Sequence, residues 1–254
     1  MKPSLSVVIV AQDEERTIGQ VLDSVKPIAS EIILVDSGSK DKTLEIAKSR
    51  GAVCYHQQWQ GYAQQKNFAV SLASDEWVFS LDADEVVSEA LAKEIETVLS
   101  DPTEEFDGYL IPRFLYIGET ALCHGGFYPD AQLRLFKRGK GQFKPRMVHE
   151  SVTVDGKVGR LHEAMLHYAY PDFEAYEAAM DKYARLSAQE FANRGEIGWR
   201  ASRVNEWVHP WWTFFYKYVC RGGFLDGEMG FKANSIYRDY VRKKISYLRE
   251  AVTK

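Results

Sequence analysis

Within its first eighty-odd residues the chain passes through four short apolar runs separated by three stretches with helical spacing, and this alternation constrains the fold more than any other feature. Leu5-Ser6-Val7-Val8-Ile9-Val10, Glu31-Ile32-Ile33-Leu34-Val35, Ala52-Val53-Cys54-Tyr55 and Trp77-Val78-Phe79-Ser80-Leu81 are too short for helices and rich in β-branched and aromatic residues. Between the first two, Ile18, Val21, Leu22 and Val25 recur at helical spacing, and Pro27 closes the stretch. Asp41 suits the N-cap of a second helix through Leu44, Ile46 and Ala47, with Gly51 just past its end. Residues 62–73 predict a third. A β-α-β-α-β-α-β order means a parallel sheet with helices on its faces. Strands this continuously apolar are buried on both sides.

Each strand end carries polar chemistry. The first runs into Ala11-Gln12-Asp13-Glu14-Glu15, the second ends on Asp36, and the fourth ends on Asp82-Ala83-Asp84-Glu85. In open α/β sheets ligands bind outside the carboxyl ends of strands. On an extended backbone Asp82 and Asp84 project the same way, about 6.5–7 Å apart. Two carboxylates so placed repel unless a cation lies between them. Mg²⁺ or Mn²⁺, held by one or two carboxylates plus phosphate oxygens, fits that pattern. A solvated acidic turn fits it too. No Gly-x-Gly-x-x-Gly follows the first strand and no Gly-Lys-Ser/Thr occurs, which excludes an ordinary dinucleotide fold and a P-loop enzyme. Gly-x-Ser-x-Gly and His-Glu-x-x-His are also absent.

Beyond the acidic turn, Ser88 caps a helix carrying Leu91, Ile95, Val98 and Leu99, which Asp101-Pro102 stops. The pattern then changes. Residues 108–116 and 131–136 alternate like antiparallel strands, 151–158 read as a strand with an Asp155-Gly156 turn, and 171–193 form a helix ended by Gly195. The net charge of −4 argues against a general nucleic-acid binder. Cys54, Cys123 and Cys220 are too few and too scattered for a disulfide framework or zinc site, which points to a reducing compartment. Met1-Lys2-Pro3-Ser4 leaves no room for a signal peptide, and no apolar run reaches the roughly 18 residues of a membrane span.

Three ordered motifs carry a family resemblance. Ser6-Val7-Val8-Ile9 followed by acids, Val35-Asp36-Ser37-Gly38-Ser39-x-Asp41-x-Thr43, and Leu81-Asp82-Ala83-Asp84-Glu85 together resemble a family 2 inverting glycosyltransferase of the GT-A fold. Three further stretches resemble the bacterial subgroup of lipopolysaccharide core β-1,4-glucosyltransferases: 129–136, Val148-His149-Glu150 and Gly223-Phe224-Leu225-Asp226-Gly227. The resemblance implies an α/β fold with a mixed, mostly parallel central sheet, flanking helices and a C-terminal helical extension. It divides the chain into a GT-A domain over 1–200 and an extension over 201–254. Within the domain, 1–100 would bind the nucleotide sugar and 101–200 the acceptor.

It also implies roles. Asp36 would meet the uracil or ribose, with Gln12 and Glu14 lining the same pocket. A turn-forming acid and a first-turn helix acid are the plainer readings of Asp36 and Glu14. Asp82 and Asp84 would hold Mn²⁺ or Mg²⁺ against the diphosphate, with Lys66 reaching the same group; an exposed helix lysine is the plainer reading of Lys66. Inversion needs a base for the acceptor hydroxyl. Asp130, in Asp130-Ala131-Gln132-Leu133, matches part of the family's base motif, although Pro129 stands where an acid is usual; Glu150 is the rival. The donor would be a UDP-sugar, with glucose favoured. The acceptor would be a cell-envelope saccharide or lipid-linked intermediate, lipopolysaccharide inner core first. Transfer to a polyprenyl phosphate, and less readily nucleotidyl transfer, remain as alternatives.

The last fifty residues are unusual. Residues 209–218 hold six aromatics, and 232–254 hold seven Lys/Arg against two acids. Aromatics beside a basic flank suit the headgroup level of an anionic bilayer. An aromatic core helix followed by a solvated basic one suits the same letters. The expectation is a cytoplasmic protein held at the inner-membrane surface, with no nucleic-acid partner.

Overall fold

A computed structural model describes residues 4–101, 105–144 and 151–253. The chain opens with β1 (Leu5–Ala11), α1 (Ile18–Val25), β2 (Glu31–Asp36), α2 (Thr43–Ser49), β3 (Val53–His56), α3 (Tyr62–Ser71) and β4 (Trp77–Asp82). It continues through β5 (Glu85–Val87), α4 (Glu89–Leu99), β6 (Gly108–Ile111), β7 (Arg113–Ile117), β8 (Thr120–Leu122) and β9 (Gln132–Lys137). Then come β10 (Gly141–Lys144), β11 (Ser151–Val154), β12 (Val158–Arg160), β13 (Met165–Tyr170), α5 (Phe173–Asn193), α6 (Arg203–Phe215) and α7 (Gly227–Thr253). Two compact units result. One comprises Met1–Arg113 with Ala131–Tyr168, the other Phe114–Asp130 with Ala169–Lys254.

The first unit is an α/β sandwich around a seven-stranded sheet ordered β12-β6-β9-β4-β1-β2-β3. The pairs β1–β2, β1–β4 and β2–β3 are parallel, as the alternation predicts. β9 runs antiparallel to both β4 and β6, so the sheet is mixed. Side chains alternate across it. Leu5, Val7, Ile9, Phe79 and Leu81 pack with α1 and α4 on one face, through Ile18, Leu22, Leu91 and Ile95. Val8, Ile33, Val35 and Val78 pack on the other with Ala63 and Ala69 of α3. Ser88 caps α4 by accepting from the Leu91 N–H at 3.1 Å. The stretch read as one strand over 151–158 is two, because Asp155-Gly156 breaks it.

One local expectation fails. β4 stops at Asp82, and Ala83 and Asp84 form a turn before β5. Asp82 and Asp84 therefore do not share an extended backbone, and their carboxylates find different partners.

In the second unit β7 and β8 pair antiparallel, Leu115 facing Leu122 and Ile117 facing Thr120. Ile117, Leu122, Tyr176, Ala233 and Ile236 make its core. Asp172 caps α5 by accepting from the Ala175 N–H at 2.8 Å. After α6 the chain makes a π-turn over Tyr216–Cys220 and a 3₁₀ turn over Gly223–Asp226 before α7. Glycines let two backbones meet the buried Asn234: a Cβ on Gly125 or Gly223 would come within 2.9 or 2.6 Å of its Nδ2. A Cβ on Gly230 would collide with the Gly223 carbonyl oxygen.

α6 is inside out. Its buried side carries Glu206, ion-paired with Arg249, and Pro210. Its outer side carries Val204, Trp207, Val208, Trp211, Trp212 and Phe215, with Trp207 58% and Trp212 61% exposed. The aromatic-core reading of this segment therefore does not describe α6. Arg238 lies 4.8 Å from the Trp211 ring centroid and Arg242 4.5 Å from that of Trp207. No helix among the described residues is long and apolar enough to cross a membrane.

Candidate active site

The loops leaving β1 and β2 are laced together by short polar side chains. The Asp13 N–H donates to Ser39 Oγ at 2.9 Å, and Asp13 Oδ1 accepts from the Lys40 N–H at 2.7 Å. The Glu14 N–H donates to Thr43 Oγ1 at 2.7 Å and the Glu15 N–H to Asp41 Oδ2 at 3.0 Å. Glu15 Oε2 in turn accepts from the Lys42 N–H at 3.1 Å. Asp41 also accepts from the Thr43 N–H at 2.9 Å, so it caps α2 from one position further out than the spacing suggests. Asp13 holds φ +56°, a left-handed conformation that Asp tolerates better than most residues.

Asp36 is buried inside its own turn. Its Oδ2 accepts from the Gly38 and Ser39 N–H groups at 2.8 and 3.1 Å, and its Oδ1 from the Ser39 hydroxyl at 2.5 Å. The turn-forming role is thus realised. Gln65 ties α3 to this turn, donating to Ser37 Oγ at 2.7 Å and to the Gln57 carbonyl at 2.9 Å. Gln12 stands exposed at the end of β1.

A buried charge network lies at the end of β4. Lys66 is 4% exposed, and its Nζ meets Asp82 Oδ1 at 2.6 Å. An exposed helix lysine is therefore the wrong description of it. Arg134, from β9, ion-pairs with the other Asp82 oxygen and with Glu85 Oε1 at 2.7 Å. Arg113 meets the same Glu85 oxygen at 2.6 Å, and Glu85 Oε2 accepts from the Asp82 N–H at 3.1 Å. Burial by itself would push the Asp82 carboxyl up, but Arg134 first and Lys66 next hold it well below the usual carboxylate range. Two carboxylates thus face three cations. Sequence reasoning gave no role to Glu85, Arg113 or Arg134. Glu85 and Arg134 both lie within recognisable motifs, but nothing in the spacing shows that they meet.

Asp84 turns the other way. Its Oδ2 lies 3.3 Å from His167 Nε2 on β13, and its backbone oxygen accepts from the Tyr168 N–H at 2.9 Å. Burial, and then the charge of Asp84, pushes the Glu14 carboxyl up to about 7. Glu14 also accepts from the Thr17 hydroxyl at 3.3 Å, just ahead of α1. A negative pair at this point suits a cation. Among the described residues no group of three or more His, Cys, Asp or Glu could hold a metal alone. A divalent ion that takes much of its shell from phosphate oxygens needs no such group, so Asp84 with His167 beside it fits one bound together with a diphosphate.

Gln12, Glu14, Asp36, Lys66, Asp82 and Asp84 all belong to the first unit, at or beside the carboxyl ends of β1, β2 and β4. Asp130 belongs to the second and is half-buried. Glu150 lies outside the described residues.

The chain resembles known proteins in sequence and in fold. Residues 6–143 match the model of glycosyl transferase family 2. A lipopolysaccharide core biosynthesis glycosyltransferase, LpsC of Rhizobium meliloti, is 31% identical over 77% of this chain and 74% of its own length. An uncharacterized glycosyltransferase of Rickettsia bellii is 29% identical over 97% of this chain and 86% of its own. Among solved structures, the mannosyltransferase PcManGT of Pyrobaculum calidifontis, in complex with GDP-Man and Mn²⁺, superimposes with a TM-score of 0.57. It covers 96% of this chain and 86% of its own at 16% identity, a likeness of GT-A fold. The chain is a glycosyltransferase and belongs to glycosyl transferase family 2.

Proposed function

We propose that the chain moves glucose from UDP-glucose, with inversion, to a cell-envelope saccharide of the lipopolysaccharide inner-core type. The observation that carries the reading is the division of labour in the acidic turn. Asp82 is engaged by Lys66 and Arg134, while Asp84 stands beside His167. The likeness to LpsC supports the acceptor class.

In this reading Asp84 and His167 hold Mn²⁺ or Mg²⁺ together with the donor's phosphates, and Asp82 acts through the cations it orients. When bound there, the ion offsets the charge gathering on the departing nucleoside diphosphate. Lys66 and Arg134 add fixed positive charge to the same end of the sheet, where it needs no reorganisation. The turn held by Asp36 offers its backbone, and Gln12 its side chain from the end of β1, to the nucleoside. Asp130 takes the proton from the acceptor hydroxyl as that oxygen attacks the anomeric carbon. Glu150 positions the acceptor. The outward aromatic face of α6 and the basic α7 rest at the headgroup level of an anionic bilayer, which suits a lipid-borne acceptor.

The metal is tested first. EDTA abolishes turnover and Mn²⁺ or Mg²⁺ restores it, and Asp84→Ala weakens UDP binding only when metal is present. Equal UDP affinity of the parent with and without metal would sink this assignment. For the base, Asp130→Asn lowers turnover by about 10²–10⁴-fold at nearly unchanged UDP affinity. Glu150→Gln does less. The reverse ordering makes Glu150 the base.

A further inference from the structure

The second unit holds a cluster that sugar transfer, as read above, leaves unused. Lys217 sits in the π-turn after α6, and Arg221 follows its last residue, four positions on. Both point at Gly126. A Cβ built there would lie 3.4 Å from Lys217 Nζ and 3.8 Å from Arg221 Cζ. Glycine is needed at 126 for its φ of +75°, and its missing side chain leaves open the space on which the two cations converge.

Neither cation has a carboxylate partner among the described residues. Lys217 Nζ is instead held between the faces of Phe127 and Tyr237, 4.2 and 4.5 Å from their centroids. Burial, and then the charge of Arg221, pulls its ammonium down to about 8. Two like charges aimed at one spot, one of them half-buried, repel each other.

The surroundings are rigid. The Gly125 N–H donates to the Arg221 carbonyl at 2.9 Å. Asp226 accepts from the Cys123 and His124 N–H groups at 3.1 and 2.9 Å and meets His124 Nδ1 at 2.6 Å. Gly223-Phe224-Leu225-Asp226-Gly227 therefore serves as the clasp that fixes the 123–126 loop against these cations. Beside Arg221, Val219, Phe224 and Leu225 are exposed.

We propose that Lys217 and Arg221, converging over Gly126, bind a phosphate group carried by an amphiphilic molecule. A planar guanidinium fork and a point-charge ammonium aimed at one spot suit a phosphate's several oxygens. The exposed apolar residues alongside suit an attached lipid. In the glycosyl-transfer reading this phosphate belongs to the acceptor or to the bilayer that carries it. That part rests on the proposed function, whereas phosphate binding is measured here without turnover, so the two fail separately.

The test uses the full chain with two probes: inorganic phosphate, and phosphatidylcholine vesicles with or without phosphatidic acid. Binding is followed by calorimetry and co-sedimentation at fixed salt. The variants are Arg221→Gln and Lys217→Met, the latter keeping an unbranched stem between the two rings. Lys182→Gln, at an exposed position on α5, removes an equal charge as a control. UDP binding and near-ultraviolet circular dichroism check folding. The parent binds phosphatidic acid vesicles more tightly than plain ones, and each site variant loses about tenfold while the control does not. If inorganic phosphate also binds with the same losses, the group alone is recognised; if only the vesicles do, the lipid is part of the ligand. The proposal is overturned if neither probe binds, if the site variants bind as the parent does, or if Lys182→Gln loses as much as they do.

Discussion

The two units handle charge and apolar surface in opposite ways. In the first, Asp82, Glu85, Lys66, Arg113 and Arg134 are drawn inward and paired with one another at the end of β4. In the second, α6 turns its tryptophans outward, and Lys217 and Arg242 lie on aromatic faces, as does Arg238, which also pairs with Asp239. The first closes on itself, and every member has an opposite charge. The second leaves Lys217 and Arg221 without a carboxylate among the described residues and the α6 tryptophans exposed, as a surface does that meets something else. The contrast teaches that a stripe in the sequence announces a face but not the side it turns to.

The comparison is broken most severely at Arg134. Glu85 is fully buried, and Arg134→Leu leaves it with Arg113 alone and deprives Asp82 of one of its cations. Removing one partner from a buried ion network costs about 3–5 kcal/mol. Urea unfolding of the variant checks this; a loss below about 1 kcal/mol would show that the network relaxes into water.

A pair of tryptophans sharpens the contrast. Trp77 is 6% exposed in the first unit, and Trp77→Ala is expected to cost about 3 kcal/mol or more in cavity and lost burial. Trp212→Ala should stay within about 0.5 kcal/mol, as surface changes do, while lowering co-sedimentation with anionic vesicles. Comparable losses at the two positions would mean that α6 is covered in solution, by a second copy for instance.

A further effect concerns Glu14 and is read against pH. Its carboxyl sits at about 7 in the folded chain against an ordinary value of 4.5. A raised carboxyl binds more protons folded than unfolded, so the metal-free protein loses stability as pH rises from about 4.5 to about 7. Glu14→Gln flattens that slope. An unchanged slope in thermal melts with EDTA present would place the titration elsewhere.

The sequence made the strand–helix alternation of the first unit readable, because buried parallel strands print as unbroken apolar runs and their helices as four-residue stripes. Ser88 as a cap and Gly51 past α2 followed from local chemistry alone. The acidic turn was readable in composition but not in direction. Whether Asp82 and Asp84 face alike depends on where β4 stops, and that is set by β5 and β13 behind it. The buried fate of Lys66 could not be read either. Its partner Asp82 lies 16 residues away and Arg134 a further 52, and only the sheet order β9-β4-β1 brings them together. The aromatic run was visible, but its outward turn depends on Glu206 and Arg249 taking the inner side.

The lacing of the β1 and β2 loops bears on the thermodynamics of donor recognition. Asp13, Ser39, Lys40, Asp41 and Thr43 already fix those backbones in the free protein. Little chain entropy remains to be lost at this edge when a nucleotide arrives. Calorimetry of UDP binding should then show the modest negative heat-capacity change of burying a small ligand, without the bigger change that accompanies a loop folding around it. Ser39→Ala and Thr43→Val, which cut the lacing along with the hydroxyl hydrogen bonds to Asp36 and Asp41 while leaving each carboxylate in place, would shift the cost of holding the pocket onto the ligand.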